Sequence, residues 1–229
     1  MGMTKAERLE KQKARLLEMK KGEEILRQEG YTYLAGVDEV GRGPLAGPVV
    51  TACVVLPEDF DLLGVDDSKK VTEKRRKELM PLIKEKALAY GLGMASEKVI
   101  DEVNILEATK GAMKMAIVQA DRMLREKTGE GLSMVLIDAV HLDGLDVPQR
   151  SIIKGDATCI SIAAASILAK VTRDDMMVEY AKEYPWYAFE SNKGYGTAAH
   201  YEGIRSHGLC PIHRRSFLKG FREDGTMEE

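Results

Sequence analysis

Two adjacent carboxylates, Asp38 and Glu39, stand where the apolar pattern of a β-strand should continue. The preceding residues 31–35 are aromatic, β-branched or apolar, which predicts a strand. Successive side chains of a strand point to opposite faces, so the two carboxylates cannot lie side by side in a regular strand. A buried carboxylate is also costly unless it is paired or binds a cation.

A glycine–arginine–glycine triplet, residues 41–43, follows directly. Glycine lets a backbone approach a ligand closely because it has no Cβ atom. Residues 38–43 therefore predict either a cation held by carboxylates beside a phosphate or sugar contact, or a β-turn with solvated charges. Short motifs also match by chance, so this segment alone does not choose between the two.

Two further carboxylates follow apolar segments. Residues 133–137 form a continuous apolar run that ends in Asp138 and is typical of a central, parallel strand. Functional groups collect at the carboxyl ends of such strands, so Asp38 and Asp138 come together if their strands are neighbours. The alternative for Asp138 is a helix cap or a turn. Residues 150–156 repeat the pattern, with a short apolar strand, a glycine and then Asp156.

The intervening segments predict the elements that would position these side chains. Residues 47–56 predict a second strand that forms a hairpin with the first, and residues 87–96 a weaker third strand. Apolar spacing predicts helices over residues 73–89, 97–104, 106–127 and 158–184. Strands that alternate with helices indicate an α/β fold. In the last helix, Arg173, Asp174 and Asp175 interrupt an apolar run and predict salt bridges at the helix edge.

The two ends differ from the middle of the chain. Residues 1–30 are rich in charge with a narrow apolar stripe, which predicts one or two surface helices that end near Gly30. Residues 191–197 place Tyr195 between glycines, which suits backbone and sugar contacts or a tight turn before a helix capped by Thr197.

The C-terminal histidines and arginines allow two site hypotheses. His200, His207, Cys210 and His213 suggest zinc, but their spacing matches none of the standard ligand patterns. The densest positive cluster near an aromatic residue predicts either a local phosphate-binding surface or a solvated face. It consists of Arg205, His213, Arg214, Arg215 and Lys219, close to Phe217.

Composition limits the class of protein. The 34 basic and 37 acidic residues of the 229 give a net charge of −3, so any nucleic-acid site must be local. Three cysteines without CxxC spacing favour a reducing compartment. The N-terminus has no apolar signal-peptide region and no run is long enough to span a bilayer, so we expect a cytoplasmic protein.

Six motifs in one order along the chain closely resemble bacterial ribonuclease HII, the type 2 ribonuclease H family, from about Tyr31 to Phe221. They are DEVGRG at residues 38–43, DSK at 67–69, LID at 136–138, KGD at 154–156, AAASILAKVxRD at 163–174 and KGYGT at 193–197. The resemblance implies an α/β, ribonuclease H-like five-stranded mixed sheet flanked by helices. Its first strand is central, its second antiparallel, and its fourth and fifth parallel to the first. The implied organisation is a charged helical N-terminal extension (residues 1–30), a catalytic core (31–184) and a helical, substrate-binding C-terminal extension (185–229).

The resemblance also assigns residues. The acidic positions of the family fall on Asp38, Glu39, Asp138 and Asp156, which suit two Mg²⁺ or Mn²⁺ ions with Asp38 as the bridging ligand. Substrate binding is expected at Gly41, Arg42, Gly43, Lys69 and Tyr195. The implied reaction is hydrolysis on the 5′ side of a ribonucleotide, in RNA–DNA hybrids and at single ribonucleotides in duplex DNA. It leaves a 3′-hydroxyl and a 5′-phosphate, and we expect a monomeric enzyme without a membrane partner.

Two other classes of function remain open on the sequence. A nucleic-acid-binding module would share the basic C-terminal cluster but would not need four convergent carboxylates. A small-molecule phosphohydrolase would use the same metals but would not need Arg214, Arg215 and Lys219 on a surface away from them.

Overall fold

A five-stranded mixed sheet forms the centre of the molecule, as expected. The computed structural model describes residues 3–226, so residues 1–2 and 227–229 of the two predicted extensions lie outside it. The strands are β1 (Leu34–Val40), β2 (Val49–Val55), β3 (Ala89–Ala95), β4 (Met134–Asp138) and β5 (Gln149–Ile152), in the order β3-β2-β1-β4-β5. β1 is antiparallel to β2 and parallel to β4, and β5 is parallel to β4. The central first strand and the strand directions are therefore confirmed.

Eight α-helices lie among residues 3–226. They are α1 (Lys5–Gln28), α2 (Glu73–Lys86), α3 (Glu97–Val103), α4 (Ile105–Thr128), α5 (Gly155–Thr158), α6 (Ile160–Glu183), α7 (Phe189–Asn192) and α8 (Ala198–His207). The helix predicted over residues 158–184 begins later, and the separate turn α5 precedes it. Asp156 therefore lies on α5 rather than at the end of a strand. No helix in the described range is long and apolar enough to cross a membrane.

The sheet is covered on both faces. The apolar half of α6 packs against one face, where Ala163, Ala164 and Leu168 are fully buried with Ala52 and Val54 of β2. The close approach of α6 requires Gly36 on β1, because a Cβ atom there would collide with the main chain of residues 161–162. On the opposite face, α4 buries its own apolar stripe against β3, β2 and β1.

The N-terminal segment forms one helix that docks on the core. Leu16, Met19 and Leu26 of α1 are buried, and the backbone leaves the helix through Gly30 at a φ of 99°. Glu23 of α1 is also buried, and its Oε1 accepts the main-chain N–H of Ser161 at 2.9 Å. That N–H belongs to the first turn of α6, which has no side-chain cap of its own. Glu23 therefore satisfies an orphan donor and places a negative charge at a helix N-terminus.

Candidate active site

Asp38 and Asp138 meet at the carboxyl ends of two adjacent parallel strands. Val37 is in register with Ile137, so the two aspartates are the next pair along β1 and β4. The side-chain alternation places both on the face that carries α6, since Val37 and Ile137 belong to the opposite core. Asp38 is buried and its Oδ1 accepts the N–H of Glu39 at 2.7 Å, whereas Oδ1 of Asp138 accepts the N–H of Gly155 at 2.7 Å.

Asp156 and Glu39 approach the same place from other directions. The hydrogen bond from Gly155 to Asp138 fixes the start of α5, so Asp156 follows directly beside Asp138. Asp156 is buried, and its Oδ2 lies 3.5 Å from Nζ of the exposed Lys69. Glu39 alternates to the other side of β1, where its Oε1 lies 3.5 Å from a guanidinium nitrogen of Arg42.

Burial and mutual repulsion disfavour the negatively charged form of these carboxylates. Burial, and then the charge of Glu39, raise the pKa of Asp38 well above its ordinary value. Burial likewise raises the pKa of Glu39 and of Asp138, with the neighbouring carboxylates acting in the same direction. Burial alone would lower the pKa of Lys69, but Asp156, Asp67 and Asp38 together raise it. Such a cluster gains from any added positive charge.

The donor set fits hard divalent cations. The four side chains offer only carboxylate oxygens, the ligands that Mg²⁺ and Mn²⁺ prefer. Oε2 of Glu39 is buried without a hydrogen-bond partner, which is costly unless a further group binds it. As the side chains lie, no group of three or more His, Cys, Asp or Glu residues in the described range is arranged around a common metal position. Binding one ion to three of these carboxylates therefore requires side-chain rotation.

The glycine–arginine–glycine turn lies beside the tyrosine loop, which we define as residues 193–197. A Cβ atom at Gly43 would lie 3.6 Å from Cε1 of Tyr195, an ordinary van der Waals contact. Gly41 adopts a φ of 94°, which favours glycine. Tyr195 is 45% exposed. The structure therefore brings Gly43 close to Tyr195, in a turn that follows the strand of Glu39 directly in the chain.

Two buried arginines that the sequence interpretation placed wrongly support this turn. Arg173 does not form salt bridges at the helix edge: it is fully buried and donates to the carbonyl oxygens of Pro48, Ala46 and Lys193 at 2.8–3.0 Å. Arg214 is equally buried and donates to the carbonyl oxygens of Gly41, Arg42 and Gly47 at 2.6–3.1 Å. Their guanidinium groups therefore bind carbonyl dipoles from beneath the turn.

Only part of the predicted basic C-terminal cluster forms a surface, since Arg205, Arg215 and Lys219 are exposed. His213 and Arg214 are buried, while Arg205 and Arg215 pair with Glu202 and Glu223. The charge pattern was misleading because sequence proximity does not show which basic side chains point inward. A signal was available in the apolar residues that flank them, Ile212 and Phe217.

The histidines are not arranged as the zinc hypothesis requires. His200 and His213 hydrogen-bond to each other through their Nε2 atoms at 2.9 Å. His207 stacks on the ring of Trp186 at the surface, with ring centroids 4.8 Å apart.

The architecture is that of the ribonuclease H-like class, with a mixed five-stranded sheet and helices on both faces. Residues 35–219 match the family model described as Ribonuclease HII. The Ribonuclease HII of Ruminiclostridium cellulolyticum is 55% identical over 195 residues, which are 85% of this chain and 73% of that protein. The Ribonuclease HII of Acetivibrio thermocellus is 50% identical over 212 residues, which are 93% of this chain and 80% of that protein.

A solved structure agrees with this relationship. The ribonuclease H2 from Pyrococcus horikoshii OT3 aligns with a TM-score of 0.64 at 27% identity, over 80% of this chain and 93% of that chain. The chain therefore belongs to the ribonuclease HII family, and it is a hydrolase of the nuclease class.

Proposed function

We propose that this chain cuts the phosphodiester on the 5′ side of a ribonucleotide, in RNA–DNA hybrids and at single ribonucleotides in duplex DNA. The products are a 3′-hydroxyl and a 5′-phosphate, and the role is removal of ribonucleotides from DNA. The observation that carries the proposal is the proximity of Asp38, Glu39 and Asp138, whose carboxylate pKa values are all raised, with Asp156 beside Asp138. It is supported by membership of the ribonuclease HII family.

Two Mg²⁺ or Mn²⁺ ions would be held by these carboxylates and, when bound, would supply activation of water and stabilisation of the leaving 3′-oxygen. Asp38, which feels the charges of both Glu39 and Asp138, would be the ligand that the two ions share. Asp138 and Asp156 would complete the shell of one ion, and Glu39 would use its unpartnered Oε2 for the other. The ammonium group of Lys69 near Asp156 would bind a substrate phosphate.

Recognition of the target would come from the turn and the tyrosine loop. The main chain at Gly41, Arg42 and Gly43 would read the 2′-hydroxyl, because glycine allows close approach and only ribose offers that group. Tyr195 would pack on the next sugar, on the 3′ side of the scissile phosphate. A 2′-hydroxyl on that sugar would crowd the ring, so deoxyribose is favoured there.

The organisation of the chain supports this division of labour. Residues 185–226 share a small core with the segment that follows the turn, in which Leu45 and Ala46 pack with Tyr187 and Phe189. We propose that they form a substrate-binding extension of the core at residues 31–184, and that α1 is an accessory helix. Cys53 and Cys159 are buried free thiols, which fits a cytoplasmic enzyme, and we propose that it acts as a monomer.

The test is a gel assay with a duplex that carries one ribonucleotide, with and without Mn²⁺ or Mg²⁺. An all-DNA duplex should stay intact, and the ribonucleotide duplex should be cut once, only when the ion is present. Asp38→Asn should abolish cleavage but retain the fold and duplex binding, because one negative ligand is lost. Asp143→Asn, which changes an exposed carboxylate, is the control and should cut normally. Turnover by Asp38→Asn near that of the unmodified chain, at any concentration of either ion, would contradict the proposal.

A further inference from the structure

A buried pair of histidines lies behind the tyrosine loop and takes no part in the chemistry proposed above. His200 is in the first turn of α8, and His213 is in the segment that follows it. Both are almost completely buried, and their Nε2 atoms are 2.9 Å apart. The rings of Tyr187 and Phe189 pack against them, with centroid distances of 4.8–6.1 Å.

The hydrogen bonds of this pair fix its protons. Nδ1 of His200 lies 2.9 Å from the carbonyl oxygen of Tyr195, which can only accept, so Nδ1 carries the proton. A neutral His200 then offers Nε2 as an acceptor, and Nε2–H of His213 donates to it. Nδ1 of His213 is left as an acceptor, and the main-chain N–H of Cys210 donates to it at 2.8 Å. One arrangement of protons therefore satisfies every group from Cys210 to Tyr195.

This chain of hydrogen bonds requires both rings to be neutral. A second proton on His200 would place two N–H groups against each other at the 2.9 Å contact, and a second proton on His213 would place Nδ1–H against the N–H of Cys210 at 2.8 Å. Burial lowers the pKa of His200, and burial together with the neighbouring His200 lowers the pKa of His213 to about 4. The pair therefore stays neutral at physiological pH, in the arrangement that donates to Tyr195.

The tyrosine loop is bound from both sides. On one side, the N–H of Leu45 donates to the carbonyl oxygen of Gly194 at 2.8 Å, which connects the tyrosine loop to the segment directly after the turn at residues 41–43. On the other side, the carbonyl oxygen of Tyr195 accepts from His200 and from the N–H of Thr197, the latter at 2.8 Å. The orientation of the peptide plane after Tyr195 therefore depends on the histidine pair, and the ring beside Gly43 depends on that plane.

We propose that His200 and His213 are positioning residues that hold Tyr195 against the turn at residues 41–43 and so set the preference for deoxyribose on the 3′ side of the cut. The inference rests on the proposed function, because it takes from it the contact between Tyr195 and that sugar. The histidines touch neither substrate nor metal ligands, so they act only through the tyrosine.

The experiment compares substitutions that keep or remove the donor to Tyr195. His200→Leu removes it, whereas the amide of His200→Asn keeps an N–H near the position of Nδ1. His213→Asn keeps an acceptor for Cys210 but breaks the link to His200. His207→Asn is the matched control, because His207 is an exposed histidine of the same helix. For each variant, kcat/KM is measured on a single-ribonucleotide duplex and on a long RNA–DNA hybrid, together with the melting temperature.

The decisive quantity is kcat/KM on the single-ribonucleotide duplex divided by kcat/KM on the long RNA–DNA hybrid. We expect it to fall about fivefold in His200→Leu, the factor that one lost hydrogen bond of ordinary strength represents, and to fall in the same direction in His213→Asn. His200→Asn and His207→Asn should retain the ratio of the unmodified chain. With Tyr195→Ala already present, His200→Leu should not change the ratio further.

Two results would count against the inference in different ways. Equal losses on both substrates, with an unchanged ratio and a lower melting temperature, would show a purely structural pair and overturn it while the proposed function stands. If the unmodified chain cuts neither substrate with either ion, the proposed function itself fails and the inference falls with it.

Discussion

Replacement of Tyr195 by alanine separates recognition of the substrate from the chemistry of cleavage. The carboxylates lie on β1, β4 and α5, whereas Tyr195 lies on a loop after α7. Tyr195 is 45% exposed, so truncation removes a ligand surface without opening the core. The variant should therefore fold, retain its metal requirement and lose affinity or rate at the sugar that the ring would cover.

The size of the effect follows from the free surface of the ring. A tyrosine side chain carries roughly 200 Å². The 45% exposed fraction therefore leaves about 90 Å² for a ligand, which is worth about 2 kcal/mol at ~25 cal/mol per Å². Aromatic contacts to nucleotides cost about 1–3 kcal/mol when removed by alanine, which agrees. A loss of about 2 kcal/mol corresponds to about a 30-fold decrease in kcat/KM.

The assay measures initial rates on a single-ribonucleotide duplex and on a long RNA–DNA hybrid. The decrease should be larger on the first substrate, because only there does a deoxyribose follow the ribonucleotide. Tyr195→Phe serves as the companion variant and should retain more activity if packing dominates, and little if a hydroxyl hydrogen bond dominates. If Tyr195→Ala equals the unmodified chain on both substrates, the tyrosine is only a turn residue and the reasoning is wrong.

Three further predictions concern stability. Glu23→Ala should lower the free energy of unfolding by about 1–3 kcal/mol, because it exposes an uncapped helix start, while the exposed neighbour Glu24→Ala should not; denaturant titration checks both. Deletion of residues 1–30 should lower the melting temperature, because burial of Leu16, Met19 and Leu26 is worth roughly 4–9 kcal/mol. The metal requirement should stay intact. A folded truncation that binds substrate and metal but cannot cut would contradict this prediction. Finally, the pKa of His213 is lowered from 6.5 to about 4. The contribution of neutral His213 to the free energy of unfolding is therefore complete above pH 6.5 and is lost as the pH falls towards 4. The loss is up to about 3 kcal/mol and should be absent in His213→Asn. The comparison with His213→Asn is needed because the raised pKa values of the active-site carboxylates make the protein more stable, not less, as the pH falls. Tyr187 and Cys210 do not affect the comparison, since their pKa values of about 12 keep both groups neutral.

The sheet could be predicted because its signals are local. The continuous apolar run before Asp138 predicted a central parallel strand, and the structure places β4 next to β1 with Val37 opposite Ile137. The meeting of Asp38 and Asp138 follows from that register alone. Helix ends were predicted less well where two helical segments follow each other, as at Thr158 and Ile160, because the extended backbone at Cys159 has no distinctive residue type.

The groups that support the site could not be predicted from local patterns. Arg173 was interpreted as a surface ion-pairing residue because two acidic residues follow it, but its three acceptors are carbonyl oxygens between 20 and 127 residues away in the chain. Carbonyl oxygens exist at every position, so no residue type marks them as partners of a buried guanidinium. Only the tertiary structure shows that the charge is compensated by dipoles rather than by carboxylates.

Hydrogen bonds of the same kind cross the predicted boundaries at Gly30 and Tyr184. Arg214, beyond the second boundary, donates to carbonyl oxygens of residues 41, 42 and 47, and Glu23, before the first, satisfies the start of α6. Each contact supplies a hydrogen-bond partner to a main-chain group of the core. Asp38, Glu39 and Asp138 can be placed by the sheet alone, but the turn and the tyrosine depend on segments from both sides of the second boundary. Selection of the substrate is therefore expected to be more sensitive than cleavage chemistry to substitutions in residues 185–226.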